Sequence, residues 1–295
     1  MNFADMTDEV LINVAGYTQR QDQVTFLLED MNESATEFKV RDGSVLSRGI
    51  VEIDDEIVWV DRFDRTNGIA YIIPSGRGFR NSRVAPHFAG ARVTISPAFP
   101  RIVVQKAINN AIKGVYPDLY GTFYTSFPFI ASRSTYQLPS DAIDVLAVSW
   151  QTVGPTREWL PVRRYRIDKT ANPSAFNTGK SLSIYDGIVP GRTVSVYYSK
   201  RPTALSLPSD EFTMTGLPDS AEEVIILGAS YRVAAYLDAP RVTGMSVEAD
   251  ALDQSNPSGA GAQVSRYLFA QYKDRLSVEV RRQQELFPVR VHYTR

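Results

Sequence analysis

The sequence predicts an α+β protein in which a helical bundle carries an inserted small β-barrel or sandwich module and a second β-rich segment. Apolar residues recur every three to four positions near both ends and in the middle of the chain, which is typical of amphipathic helices. Short runs between them alternate apolar and polar residues and end at turn signals, which is typical of strands. The predicted parts are an N-terminal helix (1–20), the β module (21–96), a helical and β core (97–285) and an extended C-terminal tail (286–295).

Four segments carry the helical pattern. The first covers 7–20, with Thr7 as the N-cap and acidic residues in the first turn. The second opens at Ser96-Pro97, since serine can cap a helix and proline fits the first helical position. The third begins at Pro218, and the fourth covers 262–285, where an apolar residue returns every four positions.

The strand pattern is concentrated in two regions. Within 21–96, alternating runs are separated by turn signals, and Asn67-Gly68 is the strongest hairpin signal because tight hairpin turns need positive φ angles. The second region, 120–205, contains shorter alternating runs separated by prolines. These intervals indicate a compact β module followed by additional strands.

Composition excludes several kinds of chemistry. The 295 residues contain no cysteine, which rules out disulfides, thiolate metal sites and cysteine nucleophiles. His87 and His292 are the only histidines, so a catalytic triad or a histidine metal site would have to use one of them. We therefore expect no enzyme activity, no cofactor and no metal.

The net charge and the hydropathy of the chain limit which partners are expected. The net charge of −1 creates no overall attraction to nucleic acid or to an anionic membrane. No apolar run approaches the length of a transmembrane helix, so no membrane partner is expected. The acidic start of the chain lacks the basic segment of a signal peptide, so secretion by that route is not expected either.

A phosphate-binding loop is suggested by Gly179-Lys180-Ser181. That motif requires a glycine five residues before the second glycine, where this chain has Ser174. It also requires a helix to follow, whereas residues 182–187 alternate like a strand. A polar hairpin turn is the favoured interpretation.

A carboxylate enzyme is suggested by acidic residues in the β module. Glu52, Asp54 and Glu56 would share one face of a straight strand, and two carboxylates on either side of one bond are what a glycosidase needs. The favoured interpretation is a hairpin that turns at Asp54-Asp55 with solvated acids. Enzyme function is therefore the third hypothesis.

Two further segments have a functional and a packing interpretation. A dense aromatic cluster could bind sugars or bases, or could fill a core or subunit interface; it comprises Tyr116, Tyr120, Phe123, Tyr124, Phe127 and Phe129. The C-terminal tail could add a strand to a partner's sheet edge, or could be disordered. Its candidate partner-binding residues are Leu286, Phe287, Pro288, Val289, Val291 and Tyr293.

Several short motifs occur in an order known from one protein family. The β module has a strand with Gly49, Ile53, Glu56 and Ile57, an Arg77-Gly78 turn, and a closing piece with His87, Gly90, Ala91 and Val93. A helix with Ile108-Asn109 and Ala111 leads to Tyr116-Pro117. Then follow Tyr136-Gln137-Leu138-Pro139 with Asp141, and Tyr197-Tyr198 before the helix predicted at 218–237. In this order the chain resembles the head-to-tail adaptor (connector, or neck) proteins of tailed bacteriophages.

The resemblance implies a structural virion protein at the neck, between capsid and tail, assembled in the host cytoplasm. Its implied partners are the portal protein, other neck or tail proteins, further copies of itself in a ring of typically twelve, and double-stranded DNA that passes through the channel without sequence recognition. C-terminal segments of such proteins often hold the portal, which makes the tail a candidate for that contact. The alternative is a tail-associated carbohydrate- or receptor-binding protein.

Overall fold

A computed structural model describes residues 1–17, 22–153, 157–238 and 260–287. Within these ranges the chain forms thirteen β-strands in three antiparallel sheets and four α-helices. Two compact units are formed, one from Ala4–Asn110 with Ile226–Tyr272, and one from Met1–Phe3 with Ala111–Ile225 and Lys273–Arg295. The predicted helical bundle with a small β insert is therefore wrong, because sheets dominate the architecture.

The helices follow the predicted periodicity with shifted ends. They are α1 (Phe3–Ala15), α2 (Arg101–Gly114), α3 (Glu222–Ala234) and α4 (Ala260–Leu286). The first begins before the predicted cap at Thr7, which is itself buried inside the helix. The second begins five residues after Ser96, because a different group caps it, as described below.

The β module is a six-stranded sheet that closes on itself. Its strands are β1 (Gln23–Phe26), β2 (Glu37–Lys39), β3 (Gly49–Ile53), β4 (Glu56–Asp64), β5 (Ile69–Ile72) and β6 (Arg92–Ile95), in the order β1-β6-β3-β4-β5-β2. The two outer strands are joined where Leu28 N donates to Lys39 O (2.8 Å) and Arg41 N donates to Phe26 O (2.9 Å). The sheet is therefore a small barrel, filled by buried side chains such as Leu46, Val51, Ile53, Val58, Val60 and Val93.

The hairpin predicted at Asn67-Gly68 is confirmed. It joins β4 to β5, which pair in antiparallel fashion. Asp64 Oδ1 accepts from Thr66 N at 2.9 Å and organises the turn. Gly68 has φ 67°, and a Cβ there would lie 2.6 Å from Val40 O. No other residue type fits that turn without displacing the backbone.

Two sheets in the other unit share one core. The strands are β7 (Gly121–Pro128), β8 (Thr135–Gln137), β9 (Asp144–Gln151), β10 (Trp159–Pro161), β11 (Tyr165–Asp168), β12 (Ser181–Ile184) and β13 (Thr193–Lys200). The sheet orders are β10-β9-β13-β7 and β11-β12-β8. Residues from both sheets, including Tyr136, Val148, Leu182, Val194 and Val196, form a single buried cluster. The arrangement is a β-sandwich, because alternate residues of each strand face the partner sheet.

The second half of α4 is attached to this sandwich unit by polar contacts. Gln283 donates from Nε2 to Tyr120 O (2.8 Å) and accepts at Oε1 from Tyr120 N (3.2 Å). The buried Glu279 carboxylate accepts from Ser220 Oγ at 2.5 Å. The end of α4 therefore has a defined position on the surface of its unit.

Candidate interaction surfaces

The acidic hairpin of the barrel separates the carboxylates that the sequence suggested as a catalytic pair. Strands β3 and β4 pair with Glu52 opposite Ile57 and Ile53 opposite Glu56. Since directly opposite residues point to the same face, Glu52 and Glu56 lie on opposite faces of the hairpin. The chain turns at Asp54-Asp55, with Asp54 at φ 52°. The one-face arrangement expected for a straight strand is wrong, and Glu52 and Glu56 cannot flank one substrate bond.

The Glu56 carboxylate is the centre of a buried clamp. Its side chain is 1% exposed and accepts two bonds from the Arg77 guanidinium, at 2.7 and 3.0 Å. It also accepts from Gly78 N (2.9 Å) and Ala85 N (3.1 Å), and contacts His87 Nε2 at 3.0 Å. Burial raises the pKa of this carboxyl, but the bonds from His87, Arg77 and the two amides outweigh it and lower the pKa to about 2. The clamp fixes the segment from Arg77 to His87 on the barrel.

His87 uses both ring nitrogens inside this clamp. Nδ1 lies 2.8 Å from Asp54 Oδ2, while Nε2 faces Glu56. Burial lowers the pKa of the imidazole, but the bonds to Asp54 and Glu56 raise it to about 9. The ring is therefore an imidazolium at neutral pH. Because both nitrogens donate to carboxylates, neither is available to bind a metal or to take a proton from a nucleophile.

A second buried carboxylate caps α2. Glu52 accepts from the backbone N–H of Arg101, the first residue of the helix, at 2.5 Å. The Arg101 side chain in turn donates to Asp55 at 2.9 Å and to Asp8 of α1. Burial raises the pKa of Glu52 to about 7, against the opposing effect of the Arg101 N–H and charge. The helix start was mispredicted at Ser96-Pro97 because its cap comes from a residue 49 positions away.

The sequence analysis missed that Arg77 and Arg101 form ion pairs, although the sequence contains a signal for it. Between Asp64 and Asp118 the sequence has eight basic residues and no acid. Any buried cation in that stretch must therefore find its carboxylate elsewhere in the chain. Arg77 and Arg101 do so with acids of the β3–β4 hairpin, and Arg101 also reaches Asp8.

We expect Glu52→Gln to flatten the pH dependence of barrel stability. The folded chain holds the Glu52 proton up to about pH 7, whereas an unfolded carboxyl loses it near pH 4.5. In the chain that keeps Glu52, this group should therefore lower the free energy of unfolding by up to about 3 kcal/mol as the pH rises from 4.5 to 7. Glutamine keeps the oxygen that accepts from Arg101 but does not titrate. Urea unfolding at several pH values measures the slope.

Glu37→Gln, which changes an exposed carboxylate on β2, is the matched control and should leave that slope in place. An unchanged slope in Glu52→Gln would contradict the assignment of this pH dependence to Glu52.

The aromatic cluster divides into packed and exposed members. Phe127 stacks on Tyr136 with ring centroids 4.2 Å apart, and Phe123 packs near Tyr198 at 6.3 Å. Tyr124 is on the opposite face of the sheet, 70% exposed, beside the exposed Tyr197. Packing therefore accounts for the phenylalanines, and Tyr124 with Tyr197 remains as a surface pair.

The C-terminal candidate residues are only partly described. Helix α4 continues through Leu286, which is exposed, and Phe287 N donates to Gln283 O at 3.0 Å. Pro288, Val289, Val291 and Tyr293 lie outside the described residues. The prediction that this tail binds a partner stays a prediction.

The suspected phosphate-binding loop at Gly179-Lys180-Ser181 has a structural role. Lys180 of the suspected phosphate loop donates from Nζ to the carbonyl oxygens of Ser140 (2.7 Å) and Ala142 (2.6 Å). Ser181 begins strand β12, so no helix N-terminus follows the motif. Across the described ranges, no group of three or more His, Cys, Asp or Glu side chains is arranged so that it could hold a metal ion, and none of the helices has the length and hydropathy of a membrane span.

Comparison with known proteins identifies the family. The family model described as SU10 adaptor protein matches residues 82–290. The match includes the sandwich strands, α2 and α3, and begins inside the segment that the Glu56 clamp holds. No curated protein matches the chain. Because the match spans well over half of the sequence, the chain belongs to the SU10 adaptor protein family and is a structural adaptor protein of a bacteriophage.

Proposed function

We propose that this protein joins the portal at the capsid vertex to the tail, as a ring around the DNA channel in the virion neck. The observation that carries the proposal is the match to the SU10 adaptor protein family over 82–290. The order of the short motifs, which resembles head-to-tail adaptor proteins over most of the chain, supports it. The ring would contain twelve copies, and double-stranded DNA would pass through it without sequence recognition.

The electrostatics of the barrel fit a mechanical role better than a catalytic one. Three buried groups have strongly altered pKa values, and each is held by other groups of the barrel unit. Glu56 is bonded to His87 and to two loop amides, and Glu52 accepts from the Arg101 backbone N–H. A catalytic acid or base must keep one position open for the substrate. We infer that these groups serve rigidity and that the protein is not an enzyme.

The exposed Tyr124 and Tyr197 pair is what favours the alternative, a carbohydrate- or receptor-binding protein of the tail. Aromatic side chains at a surface can stack on sugar rings, but they also supply contact area in protein interfaces. A glycan array separates the two. Binding that is lost in Tyr124→Ala would favour the alternative.

The assembly itself tests the proposed function. We expect native mass spectrometry of the purified chain with portal protein to detect a complex of many copies, and electron microscopy of virions to place the chain at the neck. An obligate ring of this kind should bury more than about 2,000 Å² at each interface. A chain that stays monomeric with portal, or virions that lack it at the capsid vertex, would overturn the proposal.

A further inference from the structure

Strand β7 is an outer strand of the sandwich, and one side of it is open. Thr122 N donates away from the sheet, to Gly216 O at 2.8 Å, whereas Phe129 N donates toward β13, to Arg192 O at 2.7 Å. Backbone groups alternate in direction along a strand, so those of Tyr124 and Ser126 point the same way as Thr122. Among the described residues, none bonds to these outward N–H and carbonyl groups.

Apart from Pro128 at its last position, this edge lacks the features that normally protect an outer strand. Its sequence, Gly-Thr-Phe-Tyr-Thr-Ser-Phe-Pro, has eight residues and no charged side chain. The other outer strands of the sandwich are better protected from pairing, since β8 and β10 have only three residues each and β11 carries Arg166 and Asp168. A long uncharged edge is a template for pairing with another chain.

The kind of assembly limits what can occupy the edge. If β7 paired with β7 of a second copy, the contact would be isologous and would close as a dimer. A ring needs a heterologous contact, in which a different segment of the next copy meets β7. The occupant should therefore be a segment other than β7 itself.

The C-terminal segment has the pattern such a strand needs. Val289, Val291 and Tyr293 alternate with Arg290 and His292, and no acid occurs from 286 to 295. Helix α4 ends at Leu286, two positions before Pro288 in the sequence. The five residues 289–293 match the length of the open edge, 124–128. The apolar side chains would lie beside the half-buried Phe123 and Phe127, and the basic ones beside Tyr124, where a cation can lie over the ring.

We propose that residues 288–295 of one copy add a strand to the open edge of β7 in a second copy. The inference rests on the proposed ring, and it assigns the tail to the neighbouring adaptor rather than to the portal. Main-chain bonds from Tyr124 and Ser126 would supply the attachment, and the alternating side chains would set the register.

Cysteine cross-linking tests this directly, because the chain contains no cysteine. One copy carries Ser126→Cys, whose side chain shares the outer face with Tyr124, and a second, size-tagged copy carries a single cysteine in the tail. We expect disulfide-linked pairs with Arg290→Cys or His292→Cys and none with Val289→Cys or Val291→Cys. This two-residue period is the signature of a strand. Ser174→Cys, in an exposed loop, is the matched control and should not link.

Hydrogen exchange provides a second readout. In the assembled protein the amides of Tyr124 and Ser126 should lose their fast exchange, and deletion of 288–295 should restore it. An assembled ring without cross-links and with fast exchange would overturn the strand-addition proposal while leaving the proposed function intact. Protection that survives the deletion would overturn the choice of the tail, and a chain that stays monomeric with portal would overturn both proposals.

Discussion

Glu56→Ala should destabilise the barrel by about 3–5 kcal/mol. The substitution leaves the Arg77 guanidinium, which is 11% exposed, and the buried His87 imidazolium without their shared carboxylate. Gly78 N and Ala85 N lose their acceptor in the same step. The loss is large because charges and amide donors are left buried and unpaired, which costs more than the bonds themselves are worth.

Trp59 is a suitable reporter for this measurement. It lies on β4 and packs edge-on against Phe79 of the clamped segment, with ring centroids 4.9 Å apart. Replacing Trp150 and Trp159 with phenylalanine leaves Trp59 as the sole tryptophan, so fluorescence during urea unfolding follows the barrel.

Asp61→Ala is the matched control on the same strand. Its carboxylate binds Arg48, which is 71% exposed, so its removal should cost no more than about 1 kcal/mol. If Glu56→Ala and Asp61→Ala lower the free energy of unfolding equally, the contacts of Glu56 do not stabilise the barrel more than an exposed ion pair does.

Leu182→Ala should destabilise the sandwich by about 2–5 kcal/mol. Leu182 is fully buried on β12 and belongs to the cluster to which both sheets contribute. Truncation would leave a cavity between the two sheets. Because the shared core fixes the spacing of the sheets, they cannot move together far enough to fill it. Trp150, which packs against this core, can report unfolding when Trp59 and Trp159 are replaced with phenylalanine.

Leu207→Ala provides the comparison for this variant. Leu207 is 48% exposed, and its truncation should change stability by less than about 0.5 kcal/mol. A loss below about 1 kcal/mol in Leu182→Ala would contradict a common core for the two sheets.

Local patterns predicted the individual elements better than the architecture. The Asn67-Gly68 hairpin and the periodicity of α4 depend on neighbouring residues, and both are present in the structure. The fold class was wrong because the helical stripes were taken as the faces of one bundle. Alternation along β13 shows that one face of a strand is buried, but not which other strand covers it. The packing of β8 and β12 against β9 and β13 depends on contacts distant in sequence.

The contacts of Glu56 and Glu52 were less predictable than the individual elements, because they too join residues that are distant in sequence. Glu56, Arg77 and His87 stood in the motifs that indicated the family, but the contacts of Glu56 with the other two span 21 and 31 positions. Glu52, Asp54 and Glu56 were considered as possible catalytic acids, because the sequence does not show that each of them is held by a residue distant in the chain. Buried charge is compensated in three dimensions, so its partners are visible only when the chain is folded.

The closed barrel affects how copies of this chain can safely accumulate in the cell. The bonds of Leu28 and Arg41 pair the first and last strands of the barrel with each other, so in the described residues neither strand is left as an unpaired edge on which copies could stack into fibrils. Contacts between two barrels must therefore be made through side chains. Unassembled copies can meet barrel to barrel without joining their sheets.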